Sequence, residues 1–506
     1  MRSTRVSVLV IICMVLFLTG FSQVEQSNRF EVEIRAFDKP YDVINGGVNG
    51  ILLIKQTDER NRLGDPKYEL LSLDTALKTN WEKEMYINRF WEYRGYDYYD
   101  GNYYLLFKYR RHNSRDLKIL KLNLINGDTV HYTVRNLVPI QLTEFEITEN
   151  AALLGGYFNY NPLVIHYNLT TLKSKVLPGI YQHRTELIQI KVDDDKNSFV
   201  VIVSEKTFDK RNTLAVKTYH SSGELIGNEK LEPEEDKGLI YGRAAAFDYD
   251  ISLLAGTYST KRGTFSRGLF VARVNTNGEQ KINYYNFADL ENFFNYMKAK
   301  RRKRIANRIE RKRINGKKIK FNYRLLVHDI IESDGQFIMI GEAFYPKYHT
   351  NSSFASNYSS YRGQQFYGSY FAGYRYTHAV VIGFDKKGKV LWDNSFEIED
   401  VLTFNLEQFV HIDIKDDHIV LLYLYDNEIR SKIIKRKEVL EGKSFDAIKL
   451  SFGDDVLRDT HSEISGLESW YDDTFYAYGT QQIKNMKDTG VKLNRHVFYI
   501  NKVKYR

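Results

Sequence analysis

The chain has 506 residues, with 73 Lys and Arg against 64 Asp and Glu for a formal charge of +9. At 43% hydrophobic and 14% aromatic it can bury a core, which excludes an intrinsically disordered chain. A single Cys excludes a disulfide scaffold and a Cys-based zinc cluster.

At the N-terminus, Arg2 and Arg5 precede a mostly apolar run over 6–21. A positive segment followed by an apolar stretch of roughly 7–15 residues is the pattern of a secretory signal. Gly20 and Ser22 are small residues spaced for cleavage, so residues 1–22 are expected to leave and the mature chain to begin near Gln23. The alternative is a retained anchor. A spanning helix takes about 20 apolar residues, and this run is shorter and ends in Thr19-Gly20. Cys13 lies mid-run between Ile12 and Met14, unlike a lipid-attachment site. The mature chain therefore has no cysteine, and its core must hold it together. No later segment is long and apolar enough for a transmembrane helix.

One pattern then recurs: a polar turn, a short apolar run, a polar gap and a second apolar run. First runs begin near Ile51, Tyr103, Ala151, Ser198, Ile251, Gln336, His418 and Thr474. Second runs begin near Tyr68, Leu117, Val164, Leu214, Leu269, Ala379, Ala447 and His496. The runs are of strand length, rich in Val, Ile, Leu, Tyr and Phe. The first runs are continuously apolar, as for strands buried on both faces, and the second alternate better. Asn126-Gly127, Ser222-Gly223, Asn277-Gly278 and Lys387-Gly388 follow second runs as hairpin turns, where Gly supplies positive φ. A third run follows each turn.

A unit of about 40–50 residues with three or four antiparallel strands is the pattern of a β-propeller blade. Gly156, Gly256, Gly341 and Gly479 end first runs, as for inner strands converging on a channel. The alternative is a β-sandwich or solenoid in which Gly marks bulges. The fold expected is all-β, a single propeller over 23–506 with eight blades favoured; seven follow if one pair is misread. The last unit lacks an outer strand, and the alternating stretch 30–37 is predicted to supply it and close the ring. On units such as LLAGTY…LFVARVNTNGE the chain resembles the β-propeller superfamily, without WD or kelch signatures. The signal ending Gly-Phe-Ser-Gln and the Tyr/Asn/Lys-rich composition resemble those of secreted proteins of Bacteroidetes-type bacteria. Propellers host enzymes, binders and scaffolds alike, so function has to be sought in sites.

Two insertions break the rhythm. In the first, 287–321, Asn286 and Asp289 are placed to cap a helix. Leu290, Phe293, Phe294 and Met297 follow at helical spacing. Between Lys298 and Lys320 there are 13 Lys and Arg against one acid, Glu310, a local net of +12. Lys300, Arg301, Arg302, Lys303, Arg304, Arg308, Arg311, Lys312 and Arg313 form the expected electrostatic patch, and Gly316 is expected to end the helix. Such a patch suits anionic lipid or an acidic polymer; the export signal disfavours nucleic acid. The alternative is a solvated helix packed on the propeller side by its aromatic start.

The second insertion, 344–376, holds 12 of the chain's 72 aromatics in a Ser-, Asn-, Gly- and Gln-rich background. Aromatic faces suit sugar rings or peptide side chains, and Tyr adds hydrogen bonds. It is expected to be a long loop, and Tyr361, Arg362, Tyr367, Tyr370, Tyr374 and Arg375 are its candidate ligand-binding residues. The alternative is a loop that buries its own aromatics.

No nucleophile elbow, HExxH or phosphate-binding loop is present. His166, His378 and His496 lie in or beside predicted strands and read as structural. Asp193, Asp195 and Asn197 have the opening spacing of a calcium loop, but Ser198 and Ser204 stand where its Gly and Glu belong. Acidic turn residues also precede other first strands, as at Asp334, Asp416 and Asp472. No cofactor or metal is expected. The function expected is an exported, non-catalytic propeller that binds a glycan, peptide, anionic lipid or envelope protein through the aromatic loop. The rivals are a glycan-active enzyme with carboxylates at the channel mouth, which clustered acids of perturbed pKa there would favour, and a structural envelope component.

Overall fold

The computed structural model describes residues 24–35, 38–111, 113–193, 195–247, 251–275, 277–350, 369–415, 417–458, 465–486 and 492–505. Residues 1–22, with the expected signal, lie outside this set.

The chain forms eight antiparallel sheets arranged in sequence order as the blades of a β-propeller. Blade one spans 42–86, and the others follow at 91–135, 141–176, 186–230, 237–286, 324–403, 411–447 and 455–505. The buried residues fall into eight apolar clusters, each shared by two neighbouring blades. This explains the continuous first runs. Successive strand residues point to opposite faces, so Ile51 and Leu53 pack toward blade eight while Leu52 and Ile54 pack toward blade two. Leu153 and Leu154 divide in the same way between blades four and two.

The first runs are the second strands of their blades, not the innermost. The innermost are more polar segments such as Trp91–Tyr99, Gln141–Ile147 and Glu186–Asp193, which line the channel and therefore lack an apolar signature. Gly156, Gly256 and Gly341 on the second strands accommodate their own blade's inner strand. A Cβ at Gly156 would sit 2.0 Å from the carbonyl oxygen of Gln141, beside a bulge between Leu142 and Glu144. In blade seven the second apolar run is Glu428–Lys435, and Ala447, its expected start, instead ends the outer strand Glu438–Ala447. The turn glycines Gly127, Gly223, Gly278 and Gly388 have φ of 68°, 76°, 80° and 78°.

The N-terminal strand closes the ring, as predicted, but spans Val24–Glu33 rather than 30–37. It pairs antiparallel with Asn494–Tyr505 from Val24 against Tyr505 to Glu33 against Val497. A turn at Asp38, whose carboxylate accepts the Arg35 N–H at 3.3 Å, follows its end; Ala36 and Phe37 lie outside the described residues. Buried polar groups fasten the closure. Arg29 donates to Asn501 Oδ1 at 2.9 Å and Gln481 Oε1 at 2.8 Å, and pairs with Glu31 at 3.0 Å. Arg495 bridges Glu31 and Asp455 at 3.2 and 2.7 Å.

In an antiparallel meander, successive turns fall on opposite faces of the ring. Turns between the second and third strands share one face with the blade-to-blade links. The first insertion links blades five and six, and the second lies between the second and third strands of blade six. Both insertions therefore leave the same face.

Candidate functional site

The first insertion has a rigid base and an exposed arm. Leu290, Phe293, Phe294 and Met297 are all buried, though in a series of turns rather than the helix their spacing suggested. The reason lies far along the chain: the buried Asp393 carboxylate accepts the N–H groups of Glu291 and Asn292 at 2.8 and 2.7 Å, fixing a turn there. Asn286 makes a local turn instead of a helix cap, accepting the Ala288 N–H at 2.9 Å. Phe293 stacks on Phe287 at 4.4 Å between centroids, and Tyr296 lies flat on His378 at 3.7 Å and 5°. His378 is fully enclosed, and burial pulls its pKa down to about 3, so it stays neutral.

Helix α1 follows over Ala299–Ile314 and buries none of its residues. Ile305 and Ile309 rest half-buried on the aromatic base. Gly316, at φ 60°, ends it as expected, with the Lys317 N–H returning to Lys312 O at 2.8 Å. Of the nine patch residues, Arg313 pairs with Asp289 at 2.9 Å and Arg302 donates to Asn295 at 3.1 Å. Among the described residues, no carboxylate pairs with Lys300, Arg301, Lys303, Arg304, Arg308 or Lys312.

The second insertion is a β-ribbon where a loop was expected. Strands Gln336–Thr350 and Ser369–Asp385 pair with each other well beyond the rest of blade six. Tyr361, Arg362 and Tyr367 lie outside the described residues, and Tyr370 is placed in the ribbon by its backbone alone. Tyr374 and Arg375 sit at the ribbon root, against Thr403 and Leu402. Tyr374 packs edge-on to Phe344 at 5.6 Å, and Arg375 pairs with Asp400 at 3.0 Å. The described part of the ribbon instead exposes Tyr345 and Tyr348, by 46% and 58%. The Tyr296–His378 stack docks the base of the first insertion on the strand that forms the second.

The channel holds a second arrangement, which single residues in the sequence did not mark. Glu144 and Glu146 lie two apart on the inner strand of blade three and so share a side. Burial pushes the Glu146 carboxyl up to about 8, and the carboxylates of Asp97 and Glu144 add to this. Burial also raises Glu144, with Arg243 opposing. Asp97 accepts the Ile147 N–H at 2.6 Å. Gln189 donates to Asp329 at 3.0 Å and accepts the Ala244 N–H at 3.0 Å, tying blades four, five and six together. Between blades seven and eight, a cavity of about 420 Å³ contains Glu468, which burial raises despite hydrogen bonds from Tyr476 and Tyr478. The alternation Glu144-Phe145-Glu146 was the available signal; the partners Asp97 and Asp329 are distant in sequence.

Asp193, of the calcium-like spacing, caps a turn by accepting the Lys196 N–H at 3.2 Å. Among the described residues, no group of three or more His, Cys, Asp or Glu is placed to hold a metal ion. None of their helices is long and apolar enough to cross a membrane.

The architecture defines the chain as an eight-bladed β-propeller with two insertions on one face. No protein-family profile and no curated protein matches its sequence. Similar solved structures include dihydro-heme d1 dehydrogenase NirN in complex with DHE, at 12% identity over 95% of this chain and 78% of that one, TM-score 0.41. Polysaccharide lyase Uly1 matches at 8% identity over 81% and 89%, TM-score 0.39. The Dos1 propeller matches at 11% over 93% and 96%, TM-score 0.36. None of these likenesses carries an activity over to this chain.

Proposed function

We propose that the protein is an exported, non-catalytic binding propeller whose working face is the one bearing both insertions. The observation that supports this most is their physical union: Tyr296 stacks on His378 at 3.7 Å, so ribbon and basic helix form one platform on blade six. The platform combines exposed tyrosines with unpaired cations, a pairing suited to a glycan, peptide or envelope component. The candidate residues Tyr361, Arg362, Tyr367 and Tyr370 of the second insertion belong to this proposal together with Tyr345 and Tyr348. The test is a glycan array and an envelope-extract pull-down, comparing the intact protein with one in which a two-residue turn replaces 346–373. Loss of the captured ligand on ribbon removal is expected; an unchanged ligand set would overturn the reading.

One observation favours an enzyme instead: the raised Glu146 carboxyl beside Glu144 and Asp97, a pairing of the kind used for acid–base work on glycans. Glycan cleavage that is lost in both Glu144→Gln and Glu146→Gln proteins would establish that reading and exclude the first.

A further inference from the structure

We infer that helix α1 and the cleft beside it form one track for a linear acidic polysaccharide. This deepens the proposed reading of the insertion face and rests on it. The helix works against its own electrostatics. Lys300, Arg304, Arg308 and Lys312 repeat at four-residue spacing, so like charges meet on successive turns. Its first turn carries cations and no acid, against the helix dipole. An anionic partner relieves both terms at once.

The cation track continues past the helix. A cleft of about 950 Å³ is lined by Lys237, Lys261, Arg262, Arg267, Lys318 and Lys320, against only Glu235 and Asp236. Lys237 is held by Glu234 and Asp236, Lys261 by Asp209 at 2.8 Å, and Lys318 by Asp236 at 3.3 Å. Arg262 and Lys320 are exposed, and no described carboxylate pairs with either.

Shape selects among polyanions. Lys300, Arg304 and Arg311 share the solvent face of α1, opposite Ile305 and Ile309, while Arg301 and Arg308 occupy its flank. A flat bilayer touches one face of such a helix and does not enter a recessed cleft. Single-stranded nucleic acid binds through exposed aromatic platforms, whereas the cleft's aromatic ring, Tyr258, is buried under Tyr284. A flexible chain with one carboxylate or sulfate per sugar fits both the arm and the cleft.

The test measures binding of the purified protein to immobilised polygalacturonate, with neutral dextran, single-stranded DNA and phosphatidylglycerol vesicles as competitors. Binding that weakens with salt and resists the dextran, DNA and vesicles is expected. Lys300→Glu/Arg304→Glu/Arg311→Glu and Arg262→Glu/Lys320→Glu should each weaken it by at least about tenfold. The same positions changed to Gln, with melting curves of the intact protein, separate lost charge from lost folding. Unchanged affinity in both sets, or stronger competition by DNA or vesicles, overturns the track. If Tyr345→Ala/Tyr348→Ala abolishes binding while the track variants do not, the track falls and the insertion face stands. If polygalacturonate binding persists in all these variants and also in the protein with 346–373 replaced, both fall.

Discussion

Glu146 gives the protein a pH dependence whose sign is fixed. Its carboxyl rises to about 8 in the fold, chiefly by burial, from an ordinary value of about 4.3. Between those values the folded chain holds a proton that the unfolded chain has released. Its contribution to stability is thus complete below the lower value and is lost as pH rises through the upper one. Glu146→Gln imitates the protonated form. Its melting temperature should match the parent's near pH 4 and exceed it near pH 9, by a margin that widens between about 4.3 and about 8. Melts at a series of pH values check this, and a constant margin would contradict it. Glu342 acts differently. Fully buried, it accepts the Phe409 and Val410 N–H groups at 3.1 and 2.6 Å and bonds His328 at 2.8 Å. Glu342→Ala strands all three and should cost about 3 kcal/mol in denaturant unfolding; Glu342→Gln keeps an acceptor for the backbone and should cost less.

At the scale of elements, the first insertion divides into a part the fold needs and a part it does not. Phe293 is fully buried among Phe287, Phe294 and Tyr323. Phe293→Ala should therefore cost about 3–5 kcal/mol. A short Gly-Ser turn in place of 298–320 removes no fully buried side chain and should change unfolding by no more than about 1 kcal/mol. Denaturant melts of both proteins check the contrast. The same division marks what was legible in the sequence. Second strands such as Ile51–Arg60 stood out because packing on both faces demands unbroken apolar residues. Inner strands did not, since one side of Gln141–Ile147 meets the channel and carries Glu144 and Glu146. The basic arm was legible because its charge is local to 298–320. Residues 290–297 carry helical spacing yet form turns because their deciding partner, Asp393, lies about a hundred residues later. The ribbon read as a loop because Tyr, Ser and Gly mask strand alternation, and its pairing depends on blade six beneath it. The channel carboxylates gain their character from neighbours on other blades, which no window of sequence contains.

For the whole molecule, net charge conceals a separation by face. Residues 23–506 carry a net charge of +7, of which 298–320 supply +12, leaving −5 for the rest. Asp97 and Glu144 stand on inner strands in the channel, while α1 lies exposed on the insertion face. At physiological salt, fields decay over about 8 Å. Acids enclosed in the channel therefore do little to cancel an exposed arm that, at about 1.5 Å per residue, reaches about 24 Å. A charged surface meeting the protein responds to the nearest patch rather than to the sum. The intact protein should thus remain on a cation exchanger to higher salt than a +7 protein with evenly mixed charges. Replacing 298–320 with a neutral turn should do more than weaken that retention: at pH 7 the shortened protein should pass through the cation exchanger and bind an anion exchanger. Elution salt on both resins measures the effect. Continued retention of the shortened protein on the cation exchanger would mean that Lys237, Lys261, Arg262 and their neighbours in the cleft hold a surface by themselves, with α1 as an extension of that site rather than its centre.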